Sequence, residues 1–198
     1  MYGKTTDRKQ LLYPYAGCPC RNAGKQEGQL HGSGLVCTGE RKPAYDRLRN
    51  CKQHYTTKGM AETKTFSVNI PSSGLLEKTD YCGMVSGNNT DKSGIFDVVY
   101  GSLKTAPMIR ECPVTLECQL VQTVPLPTHN LYIGEISGAY ANGRVIKGGR
   151  PDFAEIDPLL LTMPDNRYWT LGKYAGDAWR AGKNLMDQSQ TPTQKGRK

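Results

Sequence analysis

Val114-Thr115-Leu116-Glu117-Cys118-Gln119-Leu120-Val121 alternates apolar and polar residues from Val114 through Leu120. A period of two over that length is the mark of a strand with one face buried, and no helix carries it. Thr63 to Pro71 repeats the pattern through Phe66, Val68 and Ile70, and Pro71 ends it. His129 to Ala141 reads as a third strand, with Leu131, Ile133 and Ile136 as its apolar positions. Asn142-Gly143 then signals a tight turn into Arg144-Val145-Ile146. Pro158 to Met163 and Tyr168 to Leu171 are two further short strands. Helical content is sparse. Ser72 or Ser73 can cap a short helix through Leu75, Leu76 and Tyr81. Gly172 to Leu185 has helical character that Gly176 and Gly182 weaken. Sequential antiparallel strands with tight turns imply a small β-barrel with peripheral helices, whose mouth can take a ligand.

The first quarter of the chain has a different texture. Residues 1–53 contain no Ile, Phe or Trp, and Val36 is their only valine. Neither a strand nor a helix period survives there, and such a segment alone would bury no core. The tail from residue 186 is rich in Gln, Thr and Lys and is expected to be disordered and basic. Residues 1–185 are expected to form one domain, with 15–52 anomalous within it.

The net charge of +8 invites a nucleic-acid reading. Its distribution argues otherwise, because residues 54–185 carry 13 basic and 13 acidic side chains and are neutral. The excess sits in the segments that lack a core pattern. No apolar run approaches the roughly 20 residues of a membrane span. Met1-Tyr2-Gly3-Lys4 begins no apolar leader, so a cytoplasmic location is expected, with neither nucleic acid nor membrane as partner.

Seven cysteines, an odd number, argue against a disulfide framework. Cys18, Cys20, Cys37 and Cys51, beside His31, raise a zinc reading, since zinc takes thiolates and imidazoles. The spacing forms no paired C-x2-C knuckles, so scattered free thiols are expected and no metal site. Cys82 and Cys118 read as buried apolar cysteines. Neither a Ser/His/Asp constellation nor a G-x-G-x-x-G string is present to suggest another mechanism.

Five strings go beyond pattern: His54-Tyr55-Thr56-Thr57-Lys58-Gly59; Phe66-Ser67-Val68-Asn69-Ile70-Pro71; Asp80-Tyr81-Cys82-Gly83-Met84-Val85-Ser86-Gly87 with Asp91-Lys92; Leu131-Tyr132-Ile133-Gly134-Glu135-Ile136; and Tyr168-Trp169-Thr170-Leu171-Gly172 with Gly176. In order and spacing they resemble flavoredoxins and other flavin-reductase-like FMN-binding proteins. The resemblance implies a mainly β, Greek-key split barrel that pairs as a homodimer and binds FMN noncovalently. It implies electron transfer or NAD(P)H-dependent flavin reduction, with NAD(P)H or a redox protein as partner. His54, Tyr55, Thr56 and Thr57 would then lie near the FMN phosphate and ribityl chain. Phosphate wants hydroxyl, N–H and cationic donors in one short turn, although the two threonines could equally cap a helix. Asn69 would offer its amide to the flavin, or else be a turn residue before Pro71. Ser86 and Gly87 would bring backbone close to the cofactor. Lys92 would place a cation near ring or phosphate, or else be a solvated surface lysine. No protein nucleophile is implied, because the flavin carries the chemistry.

Leu11-Leu12-Tyr13-Pro14 still fits the family's entry into its first barrel strand, and the match returns only near His54. Between them the family has an apolar strand, a second strand ending in Ala-Trp, a Pro-Pro turn and a third strand. Residues 15–52 resemble an out-of-frame reading of that segment. Joining the last two bases of each codon to the first of the next lets Ala16 to Arg21 encode Pro-Val-Val-Leu-Val-Gly. Leu30 to Cys37 then allows Phe-Met-Ala-Val-Ala-Trp-Cys-Ala, and Pro43 to Arg47 allows Pro-Pro-Met-Ile-Ala. The N-terminal strands are therefore expected to be disrupted. The alternatives to a flavoprotein are a zinc-assisted basic module or a product without function.

Overall fold

The computed structural model describes residues 2–4, 18–24, 27–41, 44–51, 55–163, 165–178, 180–183 and 185. His54, the string Leu11 to Pro14 and the tail 186–198 lie outside the described residues. The elements in chain order are β1 (Tyr2–Lys4), β2 (Cys18–Gly24), β3 (Glu27–Arg41), β4 (Ala44–Cys51), α1 (Tyr55–Thr63), β5 (Thr65–Ile70), α2 (Leu76–Met84), β6 (Val98–Tyr100), β7 (Pro107–Ile109), β8 (Val114–Pro125) and β9 (His129–Asn142). After them come β10 (Ile146–Lys147), β11 (Arg150–Pro151), α3 (Phe153–Ile156), β12 (Leu160–Thr162) and β13 (Arg167–Trp169).

The main sheet runs β1-β9-β4-β3-β2-β5-β8, and β8 also pairs with β9. The ladder therefore returns to where it began. Each of β4, β3, β2, β5 and β8 has two strand neighbours, β9 pairs with β4, β8 and the short β1, and the circuit closes on β9. This is the expected mainly β barrel with peripheral helices. Closure removes the exposed edges that an open sheet must protect. The β8–β9 register shifts twice: at Ser137 on β9, opposite Glu117 and Cys118, and at Val121 on β8, just past the stretch paired with β5.

The segment without a strand period supplies β2, β3 and β4. They close the gap between β5 and β9, with register shifts in the β3–β4 ladder. The anomaly is thus in the apolar pattern and not in the backbone ladder. Main-chain hydrogen bonds are blind to sequence, and the facing edges of β5 and β9 need partners.

Phe66, Val68, Ile70, Val114, Leu116, Cys118, Tyr132, Ile136 and Ala139 form the main core with Met60 of α1. A second cluster joins Cys82, Phe96, Ile109 and Cys112 under α2. The alternation in β5 and in the first half of β8 was expected to leave one face in water. All of Thr65 to Ile70 and of Val114 to Cys118 is buried instead. One face looks into the barrel, and the other is covered by neighbouring segments such as β7, which packs on both β5 and β8.

Two local expectations change. Ser72 precedes the turn Ser73–Leu75 without a side-chain cap bond, and the Ser73 hydroxyl donates to Asp157. Gly172 to Asp177 is not helical, where a helix over Gly172 to Leu185 was expected; a turn with Ala181 N bonded to Asp177 O follows, and among the described residues only Lys183 and Leu185 are helical. Gly176 at φ +152° marks why, since its backbone is not helical.

Candidate functional site

α1 is the next element after the barrel wall strand β4, and Tyr55, Thr56 and Thr57 lie in its first turn. The helix begins earlier than a cap at Thr56 or Thr57 would require. Thr56 is buried, and Tyr55 and Thr57 are half-buried. First-turn N–H groups of any helix lack intrahelical acceptors and carry the positive end of its dipole. This turn contains no acidic residue, yet Lys58 sits in it with its ammonium 5.5 Å from the Tyr55 ring centroid. A cation here works against the helix dipole, so the turn concentrates positive potential. Thr63 Oγ1 donates to Gly59 O, and Lys64 at φ 55° turns the chain into β5.

The second group follows α2. Val85 N donates to Tyr81 O and ends the helix. Ser86 O then accepts from Asn89 N and Thr90 N, both at 3.1 Å. Ser86 Oγ accepts from Asn88 N at 3.2 Å, and Ser86 itself is exposed with Gly87 half-buried. The loop offers hydroxyls and amides to solvent. Lys92 is not a solvated lysine: it is 0% exposed, and Nζ donates to Cys82 O and Val85 O at 2.9 Å each. Burial holds its pKa below the usual value, partly offset by the Cys82 thiol.

Asn69 lies on β5 with no exposed surface. Its Oδ1 accepts from Ile109 N at 2.8 Å, and its Nδ2 donates to Ser67 Oγ at 3.0 Å. Ser67 Oγ in turn donates to Pro107 O. Asn69 and Ser67 thus fasten β7 to the barrel. One element collects the other two groups: β3 is in contact with α1, with α2 and with the turn Ser93–Ile95. The helix that carries Tyr55 to Thr57 and the helix that leads into the Ser86 to Lys92 loop thus both pack on β3, while Asn69 stands inside the neighbouring wall.

Two features escaped the sequence patterns. Glu117 occupies the polar phase of its strand yet is fully buried. Its carboxylate accepts from Tyr140 OH at 2.7 Å, Ser102 N at 3.0 Å and Leu103 N at 3.0 Å. Burial raises the Tyr140 pKa. The only signal was Gly101, where a Cβ would meet Glu117 Oε1 at 2.4 Å. The second is a cavity of about 580 Å³ lined by Asp152, Phe153, Asp157, Leu171, Lys173 and Tyr174, among others. Leu171 and Gly172 of the fifth string line it, but none of the candidate cofactor-binding residues does. Its carboxylates are engaged: Asp152 caps α3 and pairs with Lys147 at 3.1 Å, and Asp157 accepts from Ser73.

Among the described residues no group of three or more His, Cys, Asp or Glu could hold a metal ion. The side chains of Cys18, Cys20, Cys37 and Cys51 lie outside the described residues. Cys82, Cys112 and Cys118 are buried thiols. No described helix is long and apolar enough to cross a membrane.

The family described as flavin reductase like domain matches residues 37–163. The crystal structure of flavoredoxin from Methanosarcina acetivorans is similar at 46% identity and a TM-score of 0.85, over 92% of this chain and 98% of that one. Flavoredoxin of Desulfovibrio vulgaris (Miyazaki F) shares the fold at 24% identity and a TM-score of 0.79, over 91% and 99%. An uncharacterized protein of Archaeoglobus fulgidus is 34% identical over 101 residues, which is 50% of this chain and 56% of that protein. The chain spans about half the length of the curated relatives it matches.

Proposed function

From the premise that the chain belongs to the flavin reductase like domain family, we propose that it is a dimeric FMN-binding redox protein. The observation that carries this reading is the first turn of α1, which holds Lys58 and no acidic residue. That donor set fits FMN. A phosphate suits the N–H groups and hydroxyls of Tyr55, Thr56 and Thr57 beside the Lys58 ammonium. The hydroxyls and amides of the Ser86, Gly87 and Asn88 loop suit the polyol chain or the polar edge of a ring. FMN, when bound, supplies the electron exchange, and the protein binds, orients and shields it. Asn69 acts on this site through the wall it braces.

Riboflavin lacks the phosphate, so it separates this placement from general flavin binding. Lys58→Glu is expected to weaken FMN about tenfold or more, as read by fluorescence quenching, and to leave riboflavin unchanged. A glutamate in a first turn favours the helix dipole, so unfolding is not the expected cause. Equal weakening of both flavins, or of neither, overturns the phosphate placement. Bleaching of bound FMN by NADH or NADPH assigns a reductase, and bleaching only by a reduced redox protein assigns a carrier.

A further inference from the structure

We propose that Lys92 is a positioning residue, whose ammonium ties Cys82 O to Val85 O and so closes residues 85–91 into the loop that presents Ser86 and Gly87 to the cofactor. The loop lies at the surface. Ser86, Asn88, Asn89 and Asp91 are exposed, and Val85, Gly87 and Thr90 are only half-buried. Within it Ser86 accepts from Asn88, Asn89 and Thr90. These bonds shape the tip but do not fix where it stands. Lys92 does that from below, with one bond to the last turn of α2 and one to the first residue past it.

The choice of residue is informative. Among the described residues Lys92 has no carboxylate partner, and its charge is wholly buried. A buried ammonium is costly, and a methionine of similar length would fill the space without that cost. What only the ammonium supplies is two donors aimed at two carbonyls. The cation also offsets the negative end of the α2 dipole and satisfies a carbonyl left over by the helix. Lys92 therefore shapes the flavin site from a distance, without touching the flavin.

The inference rests on the FMN reading, so the test has one arm that needs no flavin. Lys92→Met and the full wild-type chain are compared by amide hydrogen exchange without FMN, and then by FMN titration. In Lys92→Met the Asn89 and Thr90 amides, which bond Ser86 O, are expected to exchange at least about tenfold faster, while β8 and β9 amides keep their protection. FMN affinity is expected to fall about tenfold with an unchanged melting temperature of the flavin-free protein. Unchanged exchange at Asn89 and Thr90, or unchanged FMN affinity beside faster exchange, overturns the proposal. So does a loss of affinity that merely follows a lowered melting temperature. If Lys92→Met does not fold, Lys92→Gln keeps one shorter donor and takes its place, with a smaller expected change in the same two readings. A wild-type chain that binds no FMN sinks the functional reading alone, and the exchange arm still decides whether Lys92 closes the loop.

Discussion

Gly134 shows how a motif residue can be a packing residue. An added Cβ there would lie 2.5 Å from Phe66 Cζ, and Phe66 is fully buried at the centre of the core. Gly134→Ala is expected to cost about 1–3 kcal/mol in urea unfolding, because a packed ring has little room to retreat. A midpoint equal to wild type would mean that Phe66 moves freely. Cys112 gives a prediction in pH. Burial, and secondarily the Glu111 charge, raise its thiol well above 9.0. The folded chain then keeps a proton that the unfolded chain releases, so stability falls as pH rises past 9.0. Lys92 works the other way, since its lowered pKa adds stability as pH climbs toward 10.5. Comparing Cys112→Ala with wild type at each pH cancels the lysine. The variant is expected to be less stable at neutral pH, and its deficit should shrink above pH 9. A deficit constant with pH would contradict the assignment.

Among the elements, β5, β8 and β9 were legible because their side chains alternate, and their bounds lie within a few residues of the pattern. Their burial was not legible, since β7 and its connecting loops cover a face that alternation assigns to water. Glu117 is the sharpest case: nothing local says that the Ser102 and Leu103 amides will fold onto it. In the site, the strings placed Tyr55 to Thr57 at a helix start and Ser86-Gly87 on a loop. They could not show that Asn69 and Lys92 point their polar atoms at groups of the protein itself. β2, β3 and β4 were not legible at all, because their residues lack the types that favour strands. β4 stands between β9 and β3 while its sequence carries Asp46, Arg47, Arg49 and Asn50. Replacing residues 15–52 by the shifted-frame reading restores an apolar pattern to those strands. That chimera is expected to melt about 10 °C or more higher than the chain as it stands, given several kcal/mol of regained burial. A chimera that melts no higher would show that the polar segment is native to this barrel.

For the whole molecule, the closed ladder carries α1 and α2 on its β3 wall. The proposed dimer is checked by light scattering, with twice the 21.9 kDa of one chain expected. The central claim is flavin binding by the chain in its own sequence. It is tested most directly by adding FMN to the purified full chain, desalting it and recording the visible absorption spectrum. Flavin bands that stay with the protein at about one per chain are the expected result. A folded but colourless protein would contradict the account.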